Sequence, residues 1–394
     1  MSYPSTSSEW LIRLIGFPTI SSQSNLALIE DVAQYLRSFK IEPVLTLNSD
    51  NTKANLFATI ANINDEHEGK QGGIVLSGHS DVVPVANQAW TRPPFVAWVD
   101  NERIYGRGAC DMKGFIACML AFVPTAVSLA KENRLKTPLH LAISFDEEVG
   151  CLGAPLLLED LKTRGVHPDY CIVGEPTNMQ MVVAHKGINV YTCRVHGRSA
   201  HSSLTHQGVN AISYAAKMIG FIDQLAEELK HHQEVDEEFD VPYATLSVGT
   251  ISGGTATNIV PNLCEFSFDY RNLPTMSLEE VLTPIHEHAK FLSKQMQQVD
   301  AQTGIDITQT EKVPAMTDKD SAKLQALVSA LLTNQPTNKK AKVAYATEGG
   351  QFTNAGIATI ICGPGSIEQA HRADEYVAIS QLDKCDALIR RLFC

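Results

Sequence analysis

The stretch IVLSGHSDVVP at residues 74–84 sets an apolar run against an imidazole, His79, and then a carboxylate, Asp81, two residues later. A short apolar run suits a strand buried on both faces, and its polar end belongs at that strand's carboxyl edge. Two further segments follow the same plan, PLHLAISFDEE (138–148) and PDYCIVGEPT (168–177). MKGFIACMLAFVPTAVSLAKEN (112–133) lies between the first two and is long enough for a helix; GAPLLLEDLKTRG (153–165) separates the second from the third. Strand, helix, strand, helix, strand predicts an α/β domain with a mixed, partly parallel sheet. In such sheets ligands collect beyond the carboxyl ends of the strands, where these His and acidic residues fall.

From about residue 187 the texture changes. GINVYTCRVHG (187–197), ATLSVGTISGG (244–254) and LCEFSFDYRNL (263–273) read as strands, with helices over 207–232 and 277–297. In the third strand Cys264, Phe266, Phe268 and Tyr270 alternate with Glu265, Ser267, Asp269 and Arg271, the period of a half-buried antiparallel strand. With IDITQT (305–310) closing the set, the order βαββαβ predicts a ferredoxin-like insertion. The α/β pattern resumes with ATIICGPGS (358–366), and a last helix after Ser380 presents Leu382, Cys385, Leu388 and Leu392 on one face. The expected organisation is a discontinuous domain over 1–184 and 299–394, carrying the chemistry, with an inserted domain over 185–298.

The 394 residues are enough for two domains. A formal charge of −12, without clustered Lys and Arg, argues against a nucleic-acid partner. The N-terminus has no basic, apolar and cleavable signal pattern, and no run of roughly 18 apolar residues predicts a membrane span. Nine cysteines, an odd number with no C-x-x-C pair, suggest reduced thiols and a cytoplasmic location. The glycine patterns of nucleotide-binding loops and of the serine-hydrolase elbow are missing.

The strand-end residues are His79 and Asp81, Asp111 in GRGACDMKG, Glu147 and Glu148 in FDEEVG, Glu175 in VGEPT, and His371 in EQAHRADE. Each alone has an ordinary explanation as scaffold, helix cap or solvated acid. Several carboxylates buried together without a cation would be forced to take up protons, because like charges raise one another's pKa. A pair of divalent ions removes that conflict, and imidazole with carboxylate donors suits zinc or a neighbouring transition metal. Two ions roughly 3.5–4 Å apart call for a bridging carboxylate and leave room for a water nucleophile. The adjacent Glu147 and Glu148 can divide the roles of ligand and base, and the spacing of Asp81 lets it accept the second N–H of His79.

The elements SGHSDVVP, GRGACDMKG, DEEVG, GEPT, GRSAHSS, GGTATNIVP, DYR and AHRADEY, in this order, resemble the dinuclear zinc amidohydrolases and exopeptidases over essentially the whole chain. The resemblance implies His79 and Glu175 on one Zn2+, Glu148 and His371 on a second, Asp111 as the bridge and Glu147 as general base, with Co2+ able to replace zinc. It also implies that the inserted domain is a lid and dimerisation domain forming a homodimer, and that His201 stabilises the oxyanion in the partner subunit's site. Asn258 and Arg271 match substrate-binding positions of the family, Arg271 being suited to a planar carboxylate. Gly365 in GPGS would bring backbone close to that carboxylate, and Glu348 in YATEGGQF would meet a substrate amine. Within the family, stretches such as ISSQSN, WTRPPF and GPGSIEQAH resemble the branch that hydrolyses N2-acetyl-L-ornithine to L-ornithine and acetate in arginine biosynthesis. An aminoacylase, a succinyl-diaminopimelate desuccinylase or a dipeptidase of the same family is the alternative.

Overall fold

A computed structural model describes residues 3–231, 235–332 and 341–394. The chain divides into two compact units, one of Met1–Ala184, Met316–Ala341 and Thr347–Cys394, the other of His185–Ala315 and Lys342–Ala346.

In the first unit the strands Val44–Leu47, Ala54–Ile60, Leu139–Ser144, Ile74–His79, Tyr170–Pro176, Ala358–Gly363 and Val182–His185 lie side by side in that order. Leu139–Ser144, Ile74–His79, Tyr170–Pro176 and Ala358–Gly363 are mutually parallel, and the flanking pairs are antiparallel. These central strands are buried almost throughout, which is why they read as apolar runs rather than alternating ones. The chain leaves Ile74–His79 through the helix Lys113–Lys131 to reach one neighbour, then through Gly153–Thr163 to reach the other. Two right-handed crossovers in opposite directions place these helices on opposite faces of the sheet, and the crevice between them opens at the carboxyl end of Ile74–His79.

Lys113–Lys131 is long and apolar enough to cross a membrane by length and composition, contrary to the expectation that no segment comes near that mark. It is apolar on nearly every side because it is enclosed, packing on the sheet and against the helices Ser7–Ile15 and Ile379–Phe393. The last helix turns the expected face inward, with Leu382, Cys385, Leu388 and Leu392 buried alongside Ile389 and Phe393.

The second unit holds a four-stranded antiparallel sheet in the order Thr245–Gly253, Leu263–Arg271, Ile188–His196, Gly304–Val313. Helices Ala211–Leu229 and Leu278–Met296 pack on it. The alternation along 263–271 is realised, Cys264, Phe266, Phe268 and Tyr270 being buried. This unit runs past residue 298, where its end was expected, because Gly304–Val313 pairs along the length of Ile188–His196.

Gly174, one residue before Glu175, is required by close approach of the first crossover helix: a Cβ there would lie 1.9 Å from the ring of buried Phe115. Gly174→Ala is therefore expected to destabilise the protein by at least about 2 kcal/mol through overpacking. The urea midpoint reads the loss, and Phe115→Leu in the same background should restore part of it; an unchanged midpoint for the single variant would contradict the packing described.

Candidate metal centre

His79 ends the strand Ile74–His79, and its register partner is Ser144, the last residue of the neighbouring strand. The turn bearing Glu147 and Glu148 follows directly from that neighbour. Glu175 lies near the end of Tyr170–Pro176, on the other flank of the His79 strand. Asp111 stands just before the first crossover helix, with a cis peptide to Met112, and His371 follows Ala358–Gly363 in a loop. One edge of the sheet thus gathers six groups separated by up to about 290 residues in the chain, the consequence of parallel strands ending on the same side.

His79 Nε2 lies 3.0 Å from Asp111 Oδ1, 3.8 Å from Glu175 Oε1 and 4.0 Å from Glu147 Oε2. His371 Nε2 lies 3.2 Å from Asp111 Oδ2 and 3.0 Å from Glu148 Oε2. Asp111 therefore turns one oxygen to each imidazole, the arrangement a bridging carboxylate needs. Two adjacent metal-binding sites result, His79 with Asp111 and Glu175, and Asp111 with Glu148 and His371, the donor atoms of each within 4.8 Å of one another. Glu148 Oε1 and Glu175 Oε1 are buried and accept no hydrogen bond. Orphaned buried carboxylate oxygens are costly unless a cation meets them, so the donor set fits a pair of ions of the zinc type.

The electrostatics agree. Burial, then the charge of Asp111, pushes Glu148 up to about 7, against the opposing pull of His371. Burial likewise drives Glu175 and Glu147 well above the usual carboxylate range, with neighbouring acids adding to it. Burial acts to raise Asp111 and to lower His79, but their mutual contact and the surrounding charges prevail, so Asp111 falls and His79 rises well above its ordinary value. His371 rises to about 10 through its bonds to Asp111 and Glu148. Metal-free, the cluster balances its charge with protons.

Three expectations need correction. The N–H of His79 Nδ1 goes to the carbonyl of Asp81 at 2.9 Å, while the Asp81 carboxylate stands 3.6 Å away. That carboxylate instead accepts the backbone N–H groups of Glu147 and Glu148 and the hydroxyl of Ser21. Its hydrogen bonds hold the acidic turn while it stays within ion-pair distance of the imidazole, and the backbone carbonyl of the same residue takes the N–H of His79. Glu348 is 1% exposed and spends its two oxygens on the hydroxyls of Ser77 and Ser144, at 2.6 and 2.7 Å. It ties together the two strands that end in the site and presents no free carboxylate to a substrate amine. Gly365 has a left-handed φ of 94°, and a Cβ there would meet the Cβ of Cys110 at 2.8 Å. Its N–H donates to Gln381 and its carbonyl accepts from Asn178, so close packing, not a ligand, accounts for the glycine.

Glu147 belongs to neither group of three; the thiol of Cys151 donates to its Oε1 at 3.5 Å. Lys53 donates to Asp146 in the same turn at 2.5 Å. Ser21, Lys53, Arg107, Cys151 and Glu375 were missed in the sequence, although Arg107 and Glu375 lie inside the stretches GRGACDMKG and AHRADEY that carry ligands.

On the second unit, His201 is exposed and its Nδ1 accepts the N–H of Ser203, which places any proton of a neutral ring on Nε2. Asn258 is exposed in a loop, its carbonyl accepting from Ser202, and Arg271 pairs with Asp269 at 2.7 Å.

Residues 75–394 match Peptidase family M20/M25/M40. The chain is 36% identical to an acetylornithine deacetylase of Pasteurella multocida (strain Pm70), over 97% of this chain and 96% of that one. It is 33% identical to an acetylornithine deacetylase of Proteus mirabilis (strain HI4320), over 97% and 95%. The fold is shared with an M20 family metallo-carboxypeptidase of Sulfolobus solfataricus (TM-score 0.71, 20% identity, 98% of each chain). It is also shared with a dinuclear metal-binding M20 peptidase of Bacillus subtilis (TM-score 0.67, 15% identity, 98% of this chain and 96% of that one).

Metal uptake must displace the protons that the free cluster holds. In the folded, metal-free protein Glu148 keeps its proton to about pH 7, whereas the unfolded chain loses it near its ordinary value of 4.5. This contribution to apoprotein stability is full below that ordinary value and lost as pH rises through about 7. Zinc affinity and the thermal shift on zinc addition should therefore both grow between pH 5 and 7, with proton release in calorimetry; affinity flat across that window would contradict the protonated cluster.

Proposed function

This chain belongs to Peptidase family M20/M25/M40, and we propose that it hydrolyses the amide of N2-acetyl-L-ornithine to L-ornithine and acetate, a step of arginine biosynthesis. It is a metal-dependent amidohydrolase with two adjacent metal-binding sites that share Asp111. The observation that carries the chemistry is Asp111 with one oxygen facing each imidazole. The substrate rests on identity of about a third to acetylornithine deacetylases over nearly the full length of both chains.

In this proposal His79 and Glu175 would hold one Zn2+ and Glu148 and His371 the other, with Asp111 common to both groups. When bound, the ions would supply Lewis acidity and lower the pKa of a water toward neutrality. Glu147, outside both ligand groups, takes the proton of that water and returns it to the leaving amine. The Asp81 carboxylate, through the Glu147 and Glu148 N–H groups, keeps base and ligand in fixed relation. His201, presented by the partner subunit, stabilises the oxyanion; Asn258 and Arg271 bind the substrate, the Arg271 guanidinium taking its carboxylate.

The inserted unit is proposed to be a ferredoxin-like lid and dimerisation domain, a reading supported by its strand–helix–strand–strand–helix–strand order. A homodimer through this unit is supported by the sheet-edge strand Thr245–Gly253, where Ile251 is 58% exposed, and by exposed Ile212 on the adjoining helix. A cytoplasmic location is supported by nine cysteines that form no disulfide.

Glu147→Gln should retain two zinc ions per chain yet lower kcat by about 100-fold or more; wild-type turnover with full zinc would remove Glu147 from the role of base. Values of kcat/KM on acetyl-ornithine, acetyl-methionine, succinyl-diaminopimelate and a dipeptide should favour the first. A clear preference for another names an aminoacylase, desuccinylase or dipeptidase instead. Sedimentation should give a dimer that Ile251→Asp converts to monomer, and a monomeric wild type would refute that assembly.

A further inference from the structure

Arg107 and Glu375 form an ion pair at 2.8 Å, each 1% exposed, beside the metal centre. A pair so buried needs further hydrogen bonds, and both residues direct bonds to the two loops that carry Asp111 and His371, only Arg107 Nε being left without a partner. Glu375 Oε1 accepts the N–H of Asp111 at 3.1 Å and of Cys110 at 2.9 Å; Oε2 accepts the N–H of Gly108 at 3.0 Å. Arg107 Nη1 also donates to the carbonyl of Arg372, next to His371, at 3.2 Å. Its Nη2 donates to Gln88 Oε1 at 2.5 Å, and Gln88 Nε2 donates to the carbonyl of His371 itself at 2.9 Å. Trp90 lies against the guanidinium, 5.1 Å from ring centroid to Arg107 Cζ.

We propose that Arg107 and Glu375, with Gln88, are positioning residues that set the separation of Asp111 and His371 and thereby build the site these two share with Glu148. The inference rests on the ligand roles proposed above for those three residues. The two metal sites differ in what supports them. Glu175 and His79 lie in adjacent parallel strands, each still paired at or beside the ligand with its other neighbour, His79 with Ser144 and Pro176 with Gly363. His371 lies in a loop, is 53% exposed at its side chain, and adopts a left-handed φ of 62° that a non-glycine residue holds only where its surroundings impose it. Those surroundings are the backbone bonds from Gln88 and Arg107 and, four residues on, the Glu375 carboxylate gripping the Asp111 loop. Outer partners of this kind tune metal affinity by about 10- to 100-fold.

The test uses Glu375→Asp, which keeps the charge and so does not strand the buried guanidinium, and Gln88→Ala, at a half-buried position. Stripped protein is titrated with cobalt(II), followed by calorimetry and by the cobalt absorption bands, with His371→Ala as reference. The expected result is a first ion bound as in wild type and a second bound at least about 10-fold more weakly in both variants, the spectrum of the singly loaded form matching that of His371→Ala. Wild-type affinity for both ions, even with a lowered Tm, would leave the pair a purely structural support and overturn the proposal. Two ions bound normally by His371→Ala would overturn the ligand assignment beneath it, a different failure seen in a different variant.

Discussion

Like charges crowded out of water are the constraint on which this molecule turns. Asp111, Glu147, Glu148 and Glu175 converge at one sheet edge with two imidazoles, and Glu375 stands close behind. No packing of apolar side chains compensates such a group; only protons, cations or donated hydrogen bonds do. Among the inner carboxylates, Glu148 and Glu175 each keep one buried oxygen that no protein donor reaches, open to a cation. The outer ones, Asp81, Glu348 and Glu375, are saturated with N–H and O–H donors. This division separates groups that bind from groups that hold.

The holding layer explains how the edge of a sheet becomes a rigid site. Asp81 fastens the acidic turn, Glu348 joins two strands just beneath it, and Glu375 joins two loops. Each replaces what a longer strand ladder would otherwise do, since the hydrogen-bond pattern of the sheet stops where the ligands begin. Burying so many ionisable groups lowers stability, and the enclosed apolar helix Lys113–Lys131 with its covering helices supplies the opposing burial of apolar surface. Gly174 marks how near that helix must come, since a side chain there would run into Phe115, and Gly78 lies almost as close, a Cβ there standing 3.1 Å from Ile116.

Much of the first unit was legible because its signals are local. Apolar runs with polar ends marked the three strands whose ends became the site, and two helical segments between them fixed their parallel sense. The five ligand candidates stand together in space because every central parallel strand discharges its chain on the same side. The alternation from Cys264 to Tyr270 was legible for the same reason, one face buried and one open. The apolar helix was misjudged in one respect: enclosure in a large core and insertion in a lipid bilayer demand similar composition, and only its neighbours tell them apart.

The residue types and the strand-end pattern, all one-dimensional information, brought forward His79, Asp81, Asp111, Glu147, Glu148, Glu175 and His371 and the α/β frame that presents them, and the family resemblance divided them into ligands, base and support. What only the tertiary structure decided is which donor each buried acid obtains. Asp81 gives its carboxylate to a turn 66 residues away, Glu348 meets Ser77 across 271 residues, and Glu375 meets Arg107 across 268. Competition for a buried hydrogen bond is settled by proximity in space, and a carboxylate bound for a metal looks the same in sequence as one bound for a backbone amide.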